Sequence, residues 1–137
     1  MIGYSYHAMK NCPEALKFYD KVLFLNEDFY AAWVCKGHVI FHQALEETEN
    51  PQNIDQPIID SVLECFNRGI RAAPDQTWAY IEKGSVLGAL QRYAEAWDCL
   101  KKAIEIDPND QETLFKAGLT LCQLGISEND ALSLIHI

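Results

Sequence analysis

Four glycines set the tightest constraint on what this 137-residue chain can fold into: Gly3, Gly37, Gly84 and Gly118 are separated by 34, 47 and 34 residues. A recurrence of that length marks one supersecondary unit copied along the chain, and such a unit buries its apolar face only against its neighbours. The cleanest copy is Thr77 to Asp110, TWAYIEKGSVLGALQRYAEAWDCLKKAIEIDPND. Within it Tyr80, Gly84 and Leu87 fall at i, i+4, i+7, and Tyr93, Ala96, Trp97, Leu100, Ala103 and Ile104 trace a second helical stripe. Two amphipathic helices joined by a short turn are expected. Gly84, Ala96 and Ala103 are small where the two backbones must approach, while Tyr80, Leu87 and Leu100 fill the space around them. Asp107-Pro108 ends the second helix, because proline restricts the residue before it and brings no amide hydrogen.

The other copies are ragged. Tyr19 to Phe66 spans 47 residues, whereas Phe66 to Leu100 and Pro74 to Pro108 span 34 each, so 13 additional residues sit between the two helices of the second unit, within or near 43–57. One domain of four units is expected: a partial unit over 1–29, a second with the insertion over 30–76, a third over 77–110 and a partial fourth over 111–137. In the first, Gly3, Ala15 and Tyr19 match but Glu27 stands where proline recurs, and the apolar opening Met1, Ile2, Tyr4, Tyr6 suits a chain with further repeats upstream. Pro13 fits the first turn of the helix that follows. The first helix of the second unit is apolar on nearly every side, from Ala31 to Leu45, so it is either covered on two faces or exposes a sticky one. The fourth unit carries Leu114, Gly118 and Leu121 and is expected to turn at Gly125, with Ser127 and Asp130 capping a next helix. Its ending, LSLIHI, breaks the pattern and reads as a truncation, a frameshifted end or a cloning scar.

Composition narrows the function. A content of 49% hydrophobic and 23% charged residues belongs to a soluble globular class. No apolar run approaches the roughly 18 residues that span a bilayer, and the amino terminus lacks the basic start and long apolar stretch of a signal peptide. No membrane partner is expected, and a cytoplasmic setting is. The net charge of −9 argues against nucleic acid, whose phosphates call for clustered Lys and Arg. It favours a neutral or basic protein surface. Between Gly37 and Asn67 there is no Lys or Arg, while Glu46, Glu47, Glu49, Asp55, Asp60 and Glu64 are all acidic. That stretch is either a solvated acidic loop or a docking lip for a basic partner.

Chemistry-bearing motifs are sparse. The five cysteines, at 12, 35, 65, 99 and 122, form no CxxC pair and are odd in number, which disfavours both zinc and a disulfide framework. Cys65 and Cys99 lie 34 apart at matching places and read as small packing residues in a reducing compartment. His38, His42 and Glu46 share one helical face at i, i+4, i+8, but no HExxH surrounds them, no third strong ligand is evident, and a polar stripe facing a groove explains them as well, so no metal site is expected. DPNDQE at 107–112 lacks the glycine and the closing glutamate of a calcium loop and is a linker with Asn109 or Asp110 as helix cap. No nucleophile elbow and no phosphate-cradling glycine loop occurs, so neither a cofactor nor an enzymatic activity is expected.

The signature positions of 77–110, aromatic Tyr80, Gly84, Leu87, Ala96, Leu100, Ala103 and Pro108, resemble the tetratricopeptide repeat (TPR) family without a gap. Lys83 departs where leucine is commoner, and its aliphatic stem covers the same surface. The resemblance implies an all-α fold, a right-handed superhelical solenoid of antiparallel helix hairpins, whose first helices line a concave groove that binds other proteins. Mapped onto this chain, the groove wall comprises Tyr4 and His7, then Val34, His38, Phe41 and His42, then Trp78, Ile81 and Ser85, then Phe115, Leu119 and Gln123. Some of these, Ile81 and Leu119 especially, could instead pack against neighbouring helices. One branch of the family grips acidic chaperone tails with lysines, asparagines and an arginine; Tyr4, Cys35, Trp78 and Glu82 stand at the matching places, so that clamp is not expected. The function implied is a non-catalytic scaffold or adaptor that holds a partner peptide or helix by hydrophobic anchors. The alternatives are structural self-association of the repeats and a regulatory segment of a larger multidomain protein.

Overall fold

A computed structural model describes residues 12–127. These residues form helices and turns and no strand: α1 (Cys12–Leu25), α2 (Tyr30–Thr48), a 3-10 turn (Pro51–Asn53), α3 (Gln56–Ala72), α4 (Trp78–Ala89), α5 (Tyr93–Ile106) and α6 (Gln111–Ser127). The chain divides into two compact units, Met1–Pro74 and Asp75–Ile137. Tyr4, His7 and the LSLIHI tail lie outside the described residues.

In the first unit α2 packs on both α1 and α3. Asn26 folds the α1–α2 link by accepting the Asp28 amide at 3.1 Å, and the Trp33 indole donates to the Glu27 carbonyl at 2.7 Å, pinning that link to the start of α2. Lys36 of α2 pairs with Asp20 of α1 at 2.7 Å. The all-round apolar character of α2 finds its reason here: Ala32, Val34, Gly37, Val39, Phe41 and Ala44 are all buried, so the helix is enclosed rather than sticky. It runs for 19 residues and stops where Glu49 takes φ 63°, a left-handed cap whose amide bonds back to the Leu45 carbonyl. Asn50 then caps the 3-10 turn by accepting from the Gln52 amide, Ile54 is buried, and Pro57 sits in the first turn of α3. Between α2 and α3 the backbones meet at Gly37. A Cβ placed there would stand 2.8 Å from the Phe66 ring and 3.1 Å from the Cys65 Cβ.

The second unit repeats the crossing. α4 packs on α5 at Gly84, where an added Cβ would meet Leu100 Cγ at 3.1 Å and the Ala96 carbonyl oxygen at 3.4 Å. Phe66 is fully buried and Leu100 is 2% exposed, each contributing about 1.5–3 kcal/mol by leaving water. The α4–α5 turn is closed by the Arg92 amide on the Leu87 carbonyl and the Gln91 amide on the Gly88 carbonyl, with Gln91 at φ 63°. α5 ends at Ile106, Asp107 being extended before Pro108. Asp110 then opens α6, its carboxylate accepting from the backbone amide and the hydroxyl of Thr113. One expectation fails. α6 does not turn at Gly125 but continues to Ser127, because a lone glycine lowers helix propensity by only about 1 kcal/mol and does not end a helix by itself.

Candidate protein-binding site

In the first unit the residues expected to line an open wall separate into two groups. Val34 is fully buried and Phe41 is 7% exposed, so both belong to the core and not to a free surface. They sit on the enclosed helix α2, whose apolar residues face more than one neighbour. His38 and His42 are half-buried, their rings edge to face with centroids 4.3 Å apart. Glu46, one turn further, is exposed. Among the described residues no three of His, Cys, Asp and Glu gather as a metal ion would require.

Of the six residues expected in the second unit, Ser85, Leu119 and Gln123 line hollows there. Trp78, Ile81 and Ser85 lie half-buried along α4, and Phe115, Leu119 and Gln123 are exposed along α6 at i, i+4, i+8. Phe115 is 68% and Leu119 53% exposed. A cleft runs between these helices, lined by Ser85, Gly88, Lys116, Leu119 and Thr120, with Gly84 and Leu100 deeper in. It adjoins a second hollow formed by Gly88, Tyr93, Leu119, Thr120 and Gln123. Space exists because Gly88 carries no side chain: nothing lies within 4 Å of where its Cβ would be. The Lys116 ammonium donates to the Ser85 hydroxyl at 2.9 Å and pairs with Glu112 at 3.3 Å, tying α6 to α4 across the cleft and partly neutralising the one cation among the described residues that line it.

Sequence reasoning placed Ser85, Leu119 and Gln123 but missed Gly88, Tyr93, Lys116 and Thr120, which line the same hollows. Gly88 had a signal, since it follows Gly84 by one turn on the same helix. Lys116 had none, because its partner Ser85 lies 31 residues away in sequence. The first unit holds a different, polar hollow around Trp33, bounded by Glu27, Asp28, Arg68 and Arg71. There the Arg68 guanidinium lies 4.6 Å from the Trp33 ring centroid and Lys36 lies 5.6 Å from it. Arg71 in turn pairs with Glu64 at 3.0 Å.

The acidic residues of the insertion, Glu46, Glu47, Glu49 and Asp55, are all exposed, as are Asp60 and Glu64 on α3. Asp60 accepts from the Gln56 side-chain amide at 2.8 Å. No helix among the described residues is long and apolar enough to cross a membrane.

The crossing of α4 and α5 at Gly84, followed by the capped start of α6 and its own glycine at 118, is the arrangement that decides the comparison with known families. Residues 84–125 match the TPR repeat. The matched TPR segment starts at the glycine of the α4–α5 crossing, takes in the whole of α5 and runs almost to the end of α6. It contains the cleft residues Ser85, Gly88, Lys116 and Leu119. No curated protein matches the chain.

Proposed function

We propose that this chain is a non-catalytic protein-interaction module that holds a peptide or helix of a partner protein against α4 and α6. One observation carries the reading: Leu119, 53% exposed, lines a cleft where Gly88 leaves room, and Phe115, one turn before it on α6, is 68% exposed. Exposed aromatic and aliphatic anchors next to a hollow are what dominates affinity when a short segment docks, and the TPR match agrees with a protein as the ligand. Trp78, Ile81 and Gln123 extend the surface. Val34 and Phe41, being enclosed, take no part. The net charge of −9 and the exposed acidic insertion favour a neutral or basic partner in a cytoplasmic setting. Acidic carboxylate tails are expected to bind poorly, because Trp78 and Glu82 stand where a charge clamp would need cations.

The test is selection of binders from a random peptide library, followed by titration against variants. Phe115→Ala and Leu119→Ala should each weaken the selected peptides about tenfold or more, the scale of an interface anchor. An exposed control in the first unit, Glu47→Ala, should not weaken hydrophobic peptides. Peptides that bind the Phe115→Ala, Leu119→Ala double variant as tightly as the parent would sink the assignment.

A further inference from the structure

In the polar hollow around Trp33, opposite charges share a space without pairing across it. The indole is fixed there by its 2.7 Å bond to the Glu27 carbonyl. Three cations lie near it, and two of them are engaged: Lys36 with Asp20 at 2.7 Å and Arg71 with Glu64 at 3.0 Å. Arg68, its guanidinium 4.6 Å from the ring centroid, makes no ion pair among the described residues. Neither do Glu27 and Asp28, which line the hollow from the α1–α2 link, whereas the arginines come from the C-terminal end of α3.

A guanidinium stacked on an indole keeps its N–H edges for another partner and loses little rotamer freedom when an oxyanion arrives, so Arg68 is pre-organised for a bidentate contact. Arg71 is one turn on along the same face of α3, and its pair with Glu64 is exposed on both sides, which makes it weak and exchangeable. Glu27 and Asp28 set the limit on what enters. They repel a phosphate dianion or a run of carboxylates and favour a cation beside a single carboxylate. The hollow measures about 340 Å³, at the small end of the roughly 300–1,000 Å³ of ligand sites.

We propose that this hollow is a second binding site, for a segment of a partner protein in which a glutamate or aspartate is flanked by lysine or arginine. The carboxylate goes to Arg68 and Arg71, and the basic side chain to Glu27 and Asp28. Such a segment is neutral or slightly basic, which suits a chain whose own charge is −9. The site lies wholly within the first unit and shares no residue with the surface on α4 and α6, so either assignment fails without the other.

Titration of the whole chain with short peptides tests it, read from the Trp33 indole N–H signal in heteronuclear NMR spectra and identified by its loss in Trp33→Phe. The peptide Ala-Lys-Glu-Lys-Ala, blocked at both ends, should shift that signal saturably at millimolar concentration or below. Replacing the central glutamate of the peptide by glutamine, or Arg68→Gln in the protein, should each weaken binding at least about tenfold. Replacing both lysines of the peptide by alanine should weaken it about threefold or more in the parent and not at all in a Glu27→Gln, Asp28→Asn variant. Arg68, Glu27 and Asp28 are exposed, so these exchanges leave the fold intact. Inorganic phosphate should bind at least about tenfold more weakly than the peptide. No saturable shift, Arg68→Gln binding like the parent, a lysine-free peptide binding as tightly as the original, or phosphate matching the peptide would each overturn the proposal.

Discussion

Gln91 shows how much one backbone position can hold. Its φ of 63° closes the α4–α5 turn, and a left-handed conformation strains any residue with a Cβ. Gln91→Gly should therefore raise stability by about 0.5–1 kcal/mol, read as a higher denaturation midpoint with an unchanged m-value. The buried thiols make a second residue-level case. Burial pushes Cys65 and Cys99 above the ordinary thiol value, with Lys36 and Lys83 respectively pulling the other way. Folding thus favours their protonated form. The stability this represents is intact below the ordinary value of 9.0 and is lost as pH rises through the higher folded-state value. Urea midpoints at about pH 8 and about pH 10 should fall less in a Cys65→Ala, Cys99→Ala variant than in the parent. Exposed Cys122 should react with a thiol reagent well before Cys65 or Cys99 in the native protein.

At the level of elements, three equivalent glycines sit in three different surroundings. Gly37→Ala forces a Cβ to 2.8 Å from a fully buried ring and should cost about 1–3 kcal/mol. Gly84→Ala meets Leu100 at 3.1 Å, a contact that a small shift of an aliphatic side chain relieves, and should cost less. Gly118→Ala meets nothing among the described residues and should stabilise α6 by about 0.5–1 kcal/mol through propensity alone. Thermal or urea denaturation of the three variants checks the order, and equal losses would contradict it. The helix pair over 77–110 was legible in sequence because its small and bulky positions alternate at helical spacing and Pro108 punctuates its end. The length of α6 was not. Gly125 is a weak stop signal, and no proline or capping side chain precedes Ser127 to reinforce it.

For the whole molecule, net charge sets the background. A charge of −9 attracts a basic segment at long range, while the anchors proposed for it on α6, Phe115 and Leu119, are apolar. Raising the salt from about 0.05 M to about 0.5 M should therefore slow the association of a basic peptide selected as a binder, as screening shortens the range of that attraction. Stopped-flow association rates at the two salt levels would show the slowing; an unchanged rate would mean that net charge plays no part in the encounter.

The period of the glycines, with the residue sizes around them, was enough to establish helices, hairpins and the family of the matched segment, because local spacing and close helix packing are written in the order of the side chains. Which wall residues stay open was decided only by the fold. Val34 and Leu119 are both apolar residues of first helices, yet Val34 is buried and Leu119 is 53% exposed, and burial is a property of what packs against a helix rather than of the helix itself.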